Sequence, residues 1–278
     1  MMKTILVPTD FSSTAKNAAH YALALAKDLG ANKIIFYNAY QQPVTADPVL
    51  NTVELYDMGE FGKLSENGLQ NFIKNFDEQE TAGLKFETVS EYNLLTAGIE
   101  ELCKQHAIDL IVMGVTGGGK LEETLIGSNT ISVATHINIP VIIVPTKATY
   151  QPIKEIVLAC DFKKVVETTP VAPLKKILDE TKAKLFVLNI DHNNKSFTTD
   201  TPHESVMLDT LLYNYQPEYH FIESEDFTEA INQFAEKNKV DLVVTMPKKH
   251  GWFEGLFRRS HTKMLAFHSH VPLMVMHE

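Results

Sequence analysis

Residues 114–128 read GVTGGGKLEETLIGS, and the glycines are spaced as a phosphate cradle would need them. Gly114 directly follows the apolar run LIVM, so a ligand could rest there against bare main chain at a strand end. Gly117 lets the chain turn back and exposes amide N–H groups that no local carbonyl satisfies. Gly127 and Ser128 then open a helix, whose first N–H groups and positive dipole end attract an anion. Phosphate is the natural occupant. The plainer alternative is a mobile surface loop with Ser128 as a simple helix cap, but a strand before and a helix after favour the anion site. Neither G-x-x-x-x-G-K-[ST] nor a G-x-G-x-x-G turn after the first strand is present, which disfavours catalytic P-loop chemistry. Lys120 is the nearest cation and is either a phosphate contact or a solvated loop lysine.

The elements that must hold this cradle occur twice. MKTILVPTDFSST at 2–14 is echoed by IKEIVLACDFKKV at 153–165, with Asp10-Phe11 in register with Asp161-Phe162. KIIFYNA at 33–39 is echoed by KLFVLNI at 184–190, and the 36 residues from Asp109 lie without a gap against those from Asp241. Such a match makes the chain two copies of one unit, 1–146 and 153–278, joined by TKATYQP. In the first copy the pattern predicts strands at ILVPT, 33–40, 84–91, 108–114 and PVIIVP, with helices at 13–29, 62–82, 94–106 and 128–136. Gly30 ends the first helix. The second copy places strands near 154–160, 184–190, 217–223, 240–246 and 271–276. Strands alternating with helices, several apolar throughout, signify parallel sheets covered on both faces, whose ligands gather beyond the carboxyl ends of the strands.

ILVPTDFS, the spacing G-x2-G-x9-G-S between the fourth strand and its helix, and the strand PVIIVP together resemble the universal stress protein family, over nearly the whole chain as a tandem pair. The resemblance implies two Rossmann-like or flavodoxin-like α/β domains, each a mainly five-stranded parallel sheet with helices on both faces. It implies ATP or AMP as ligand, with or without Mg. Asp10 would sit at the adenine or ribose end, Ala39 and Met113 would flank the base, and Gly114 would pass the ribose. Gly117, Gly127 and Ser128 would hold phosphates, with Asn129 and Thr130 as weaker candidates. Asp10 has a second reading, because Asp161 persists in a copy without the glycines: both could hold a turn or cap the next helix. The resemblance also implies pairing between last strands. PVIIVP and PLMVMH read as apolar edge strands that need covering, either within the chain as a pseudo-dimer or in a homodimer.

The second copy has lost the cradle. Met246, Lys249 and Arg259 stand in place of Gly114, Gly117 and Gly127, so the same site is not expected there. Its loop KKHGWFEGLFRRS, residues 248–260, offers either another anion site around Trp252 or aromatic packing onto the fold. His268 and His270 raise a metal site, but no metal-binding spacing supports one. Two cysteines, Cys103 and Cys160, indicate neither a disulfide framework nor a zinc site. A formal net charge of −10 argues against nonspecific binding of nucleic acid or anionic membrane, and neither a signal-peptide core nor a transmembrane span is found. The expectation is a cytoplasmic adenine-nucleotide-binding regulator of the stress response with one competent site. A slow ATPase or nucleotide-dependent transferase, with Glu122 and Glu123 the only carboxylates in the glycine stretch, and a tandem interaction module without ligand are the alternatives.

Overall fold

The structure is a computed structural model that describes residues 2–41, 58–115, 126–162, 165, 171–191, 201–246 and 271–277. Unit one contributes β1 (Thr4–Pro8), β2 (Lys33–Tyr40), β3 (Lys85–Tyr92), β4 (Leu110–Gly114) and β5 (Val141–Val144). Unit two contributes β6 (Glu155–Ala159), β7 (Lys184–Asp191), β8 (Glu218–Glu223), β9 (Leu242–Thr245) and β10 (Leu273–Val275). All ten strands form one sheet in the order β3-β2-β1-β4-β5-β10-β9-β6-β7-β8. Each half is parallel throughout and doubly wound. The halves meet where β5 and β10 pair antiparallel, with Ile142 opposite Met274.

The continuous apolar runs read from the sequence are strands buried on both faces, as parallel sheets require. One face is covered by α1 (Ser13–Asp28), α2 (Met58–Ile73), α6 (Val171–Thr181) and α7 (Thr201–Leu212). The other is covered by α4 (Leu95–Gln105), α5 (Ser128–His136) and α8 (Phe227–Asn238). Each core runs unbroken through both units, so the tandem domains share two continuous apolar layers.

One expectation is corrected. The helix expected over 62–82 is two, α2 and the single turn α3 (Glu78–Thr81), because Asp77 begins a new helix with a capping box. Its carboxylate accepts the Glu80 N–H at 2.8 Å while Glu80 reaches back to the Asp77 N–H at 3.1 Å. PVIIVP and PLMVMH, each the outermost strand of its own unit on that side, cover one another by pairing within the chain, so that among the described residues β3 and β8 end the sheet.

Side chains lock the two units together around that pairing. Asn17 on α1 donates to the Pro145 and Ala148 carbonyls at 3.2 and 2.9 Å, seating the connection between the units. Tyr150 stacks edge-on against Tyr21 with centroids 5.0 Å apart, and its hydroxyl donates to Asp28. Equivalent aspartates tie the first strand of each unit to its fourth. Asp109 accepts the Lys3 and Thr4 N–H groups at 2.9 and 3.3 Å, and Asp241 accepts those of Lys154 and Glu155 at 2.8 and 3.0 Å. Asp109 also receives Lys176 of α6 at 2.9 Å, an ion pair across the unit boundary. Burial opposes its ionisation, but the Lys3 N–H, the Lys176 ammonium and the Thr4 N–H together outweigh burial and lower its pKa.

A depressed folded-state pKa contributes stability that is present above the unfolded carboxylate value, about 3.9, and is lost as pH falls through the folded value. Lys176→Met is expected to raise the Asp109 pKa toward the unfolded value, so that the acid-dependent loss becomes smaller and is complete at higher pH, at a cost below about 1 kcal/mol near neutrality. Urea midpoints between about pH 5 and 2, in which half-exposed carboxylates titrate, provide the check. At Gly98 on α4 an added β-carbon would lie 1.7 Å from the Tyr37 hydroxyl oxygen. Gly98→Ala is therefore expected to destabilise by about 1–3 kcal/mol in urea unfolding. Adding Tyr37→Leu, which copies Leu188 opposite Ala230 in unit two, is expected to recover most of that loss.

Candidate functional site

At the end of β1 the chain makes a tight turn before α1. Phe11 adopts a left-handed backbone, φ 66°, which costs a side-chain-bearing residue about 1–2 kcal/mol. Three hydrogen bonds hold it there. The Thr9 hydroxyl oxygen accepts the Phe11 N–H at 2.9 Å, an Asp10 carboxylate oxygen accepts the Ser12 N–H at 3.1 Å, and Ser12 caps α1 by accepting from Ala15 at 3.2 Å. Asp10 thus supports the turn with one oxygen while the residue remains exposed, and the helix cap is Ser12. Behind the turn, the Asn38 amide donates to the Thr9 carbonyl at 2.7 Å. Ser65 of α2 donates to Asn38 Oδ1 at 2.6 Å, and Ser90 of β3 donates to Ser65 at 2.6 Å, so the relay crosses three elements.

Unit two repeats the turn without the relay. Phe162 is left-handed, φ 48°; its N–H points to Cys160 Sγ at 3.4 Å, and Asn189 donates to the Cys160 carbonyl at 2.9 Å. Asp161 is buried, however, and Phe221 replaces Ser90, stacking on Phe162 at 5.7 Å. The Asp-Phe repeat is therefore a turn signature in both units, while exposure of the aspartate belongs to unit one alone.

β4 lies beside β1, and the chain reverses direction across the sheet between them, which opens the crevice typical of doubly wound folds. A β-carbon at Gly114 would meet Thr14 Cγ2 at 2.8 Å and the Thr14 carbonyl oxygen at 3.0 Å. The first turn of α1 thus fills the space of the missing side chain, and helix–strand packing accounts for this glycine. The chain leaves after Val115 and returns at Gly127, whose N–H donates to the Val115 carbonyl at 2.8 Å. α5 begins immediately. Its cap residue is Gly127, so among the described residues no cap side chain meets its leading amides, as at α4 and in contrast to α1, α3 and α8. Ser128 and Asn129 are exposed at that start, and the buried Thr130 hydroxyl is committed to the Gly114 carbonyl at 3.0 Å.

Of the sequence candidates, the fold brings Asp10, Ala39, Met113, Gly114, Gly127, Ser128, Asn129 and Thr130 to the carboxyl edge of β2-β1-β4. The β1–β2 register, Pro8 opposite Tyr37, sets Asp10 level with Ala39. Ala39 and Met113 face the same side of the sheet, flanking β1, with Met113 only 5% exposed. Gly117, Lys120, Glu122 and Glu123 lie outside the described residues, as do the loop 248–260, His268 and His270. Among the described residues no group of three or more metal-ligating side chains occurs, and no helix is long and apolar enough to cross a membrane. Burial, with Glu100 nearby, pushes the Cys103 thiol up to about 11, away from thiolate chemistry. Asn38, Ser65, Ser90 and Thr14 went unread in the sequence. The recurrence of asparagine in KIIFYNA and KLFVLNI was a signal for the first; the others had none.

The family model of the Universal stress protein family matches residues 1–145 and again 154–277. The chain belongs to this family. One half of it is 31% identical over 144 residues to Universal stress protein MJ0531 of Methanocaldococcus jannaschii, covering 52% of this chain and 82% of that protein. Universal stress protein MJ0577 of the same organism is 29% identical over 161 residues, covering 53% of this chain and 97% of that protein. The tandem fold is similar to that of a universal stress protein from Archaeoglobus fulgidus, with a TM-score of 0.70, 19% identity, and coverage of 99% of this chain and 96% of that one.

Removing the Asn38 side chain leaves the Thr9 carbonyl and the Ser65 hydroxyl short of a partner. Asn38→Ala is expected to cost about 1–3 kcal/mol in chemical denaturation, because buried polar groups lose their hydrogen bonds. Asn38→Asp, which keeps an acceptor for Ser65 but presents no amide to Thr9, should recover only part of it.

Proposed function

We propose that residues 1–146 bind one adenine nucleotide, ATP or AMP, and that residues 153–278 form a degenerate partner domain without that site. The observation that carries this reading is the α5 amino terminus: its amides lack a side-chain cap, and it opens at the end of β4, beside the turn that exposes Asp10. Amides without a side-chain cap at a positive dipole end suit phosphoryl oxygens, and the exposed Asp10 carboxylate beyond the neighbouring strand suits ribose hydroxyls. Ala39 and Met113 supply apolar surface on either side of β1 for a base, and Gly114 keeps the strand end low. Gly117, Gly127, Ser128 and Asn129 would hold the phosphates; Thr130 would act only by fixing α5 to β4. Burial of Asp161, Met246 and Phe162 supports the absence of that site from unit two.

Bound nucleotide would change the surface around the site, so that nucleotide level sets association with a partner in the cytoplasm during stress adaptation. Titration calorimetry with ATP and AMP, with and without Mg, is expected to give one site per chain. Gly117→Lys and Gly127→Arg, each copying unit two, are expected to weaken binding by at least about tenfold, or 1.4 kcal/mol, with unchanged circular dichroism. Wild-type protein that binds neither nucleotide refutes the proposal. Release of more than one phosphate per chain, abolished in both variants, would make the protein an enzyme instead.

A further inference from the structure

Unit two carries a groove that the nucleotide reading does not use. α8 packs over β6 and β7, and the inner face of β8 forms a shelf beside it. A cavity of about 400 Å³ lies between helix and shelf. Ala230 and Phe234, one turn apart on α8, and Ile222 of β8 make its centre apolar. The His220 ring, edge-on to Phe234 at 4.9 Å, walls one side. Two charges stand at the ends: Glu223, the last residue of β8, and Lys237, in the last turn of α8. α8 runs back along the sheet from the end of β8, so the helical rise from Ala230 to Lys237 separates the two ends by about 10 Å.

Both charges are available to a ligand. Glu223 and Lys237 are exposed, and neither side chain has a hydrogen-bond or ion-pair partner among the described residues. The polar side chains around them are already engaged. Gln233 donates to Glu229, Asn238 to the Phe234 carbonyl and Ser224 to the Asp226 carbonyl, each at 2.9 Å. A lone exposed charge is ordinary, but here two of opposite sign bracket one apolar cavity, and neither exists in the other copy. Unit one has Tyr92 and Gln105 in those places. It also bridges the space between them. The Tyr37 hydroxyl, beside Gly98, donates to Glu91 at 3.0 Å, and the His106 ring lies 3.6 Å from Glu87. Leu188, Ala230, Ile222 and Asn238 replace Tyr37, Gly98, Glu91 and His106 in unit two, so the bridge is gone where the charges have appeared.

We infer that this groove binds an elongated zwitterion, with its ammonium group at Glu223, its carboxylate at Lys237 and an aliphatic middle over Ile222, Ala230 and Phe234. An extended tripeptide with free termini is about 10 Å long, which matches the distance between the two ends. An ω-amino acid offers the same three features in a single chain. The apolar middle supplies most of the attraction, whereas the solvent-exposed ion pairs fix direction and select against singly charged molecules of the same length. Because the groove lies on unit two, the inference does not rest on the nucleotide reading.

The probes are glycyl-leucyl-glycine and 6-aminohexanoate. Added in millimolar amounts to ¹⁵N-labelled full-length protein, at least one is expected to shift amide resonances of β8 and α8 saturably. Binding of the tripeptide alone identifies a peptide ligand, binding of 6-aminohexanoate alone an ω-amino acid, and binding of both the shared zwitterion. Glu223→Gln and Lys237→Gln, the second copying Gln105 of unit one, should each weaken binding about threefold while leaving the urea midpoint unchanged. Acetylating the ammonium group of the probe that binds should cost wild type a similar factor and cost the Glu223 variant nothing further. Amidating its carboxylate should do the same for the Lys237 variant. The inference fails if neither probe shifts β8 and α8, if the blocked probes bind as tightly as the free ones, or if both variants bind as wild type does. Calorimetry with ATP and AMP reads unit one separately, so neither result decides the other.

Discussion

Everything in this molecule hangs on the antiparallel meeting of β5 and β10. Three residue pairs, Leu273–Ile143, Met274–Ile142 and Val275–Val141, join two five-stranded sheets into one. Each strand is short and apolar and could not stand exposed without inviting aggregation. Pairing them removes both edges at once and lets the apolar layers on either side of the sheet continue from one unit into the other. The polar contacts around the junction, from Asn17 to the connecting segment and from Lys176 to Asp109, then fix the angle between the halves rather than supply most of the cohesion. Because the pairing is antiparallel, the carboxyl edges of the two halves face opposite ways.

The same topology lets the two copies of the unit differ at their mouths. In each half the strand order reverses beside the first strand, so each has the same crevice in principle. What differs is how the crevice is furnished. Unit one leaves Asp10 exposed and supports its turn from behind with Asn38, Ser65 and Ser90. Unit two keeps the turn and the asparagine but replaces the hydroxyl relay with stacked Phe162 and Phe221, and buries the aspartate. One half spends its mouth on polar contacts held in place; the other fills it with packing.

The architecture was legible in the sequence to a high degree, for a physical reason: parallel strands buried on both faces are continuous apolar runs, and duplication printed them twice. Gly30 marked the end of α1 because it takes a left-handed backbone, φ 62°. Helix breaks inside polar connections were harder, since Asp77 looks like any surface acid until its reciprocal bonds with Glu80 are seen. For the candidate site, the sequence told which residues reach the strand ends but mixed two kinds of glycine. Gly127 opens a helix without a side-chain cap, whereas Gly114 makes room for Thr14, a contact 100 residues away in sequence that periodicity cannot disclose. The Asp-Phe pair was read for its acid, yet the phenylalanine carries the unusual backbone.

Joining the halves covalently has an evolutionary corollary. In an assembly of identical subunits, any change in the mouth of one is imposed on the other by symmetry. Here the junction strands hold the architecture fixed while the two mouths and the two outer strands vary independently. The same scaffold can therefore explore separate chemistries at its opposite ends without either experiment endangering the fold.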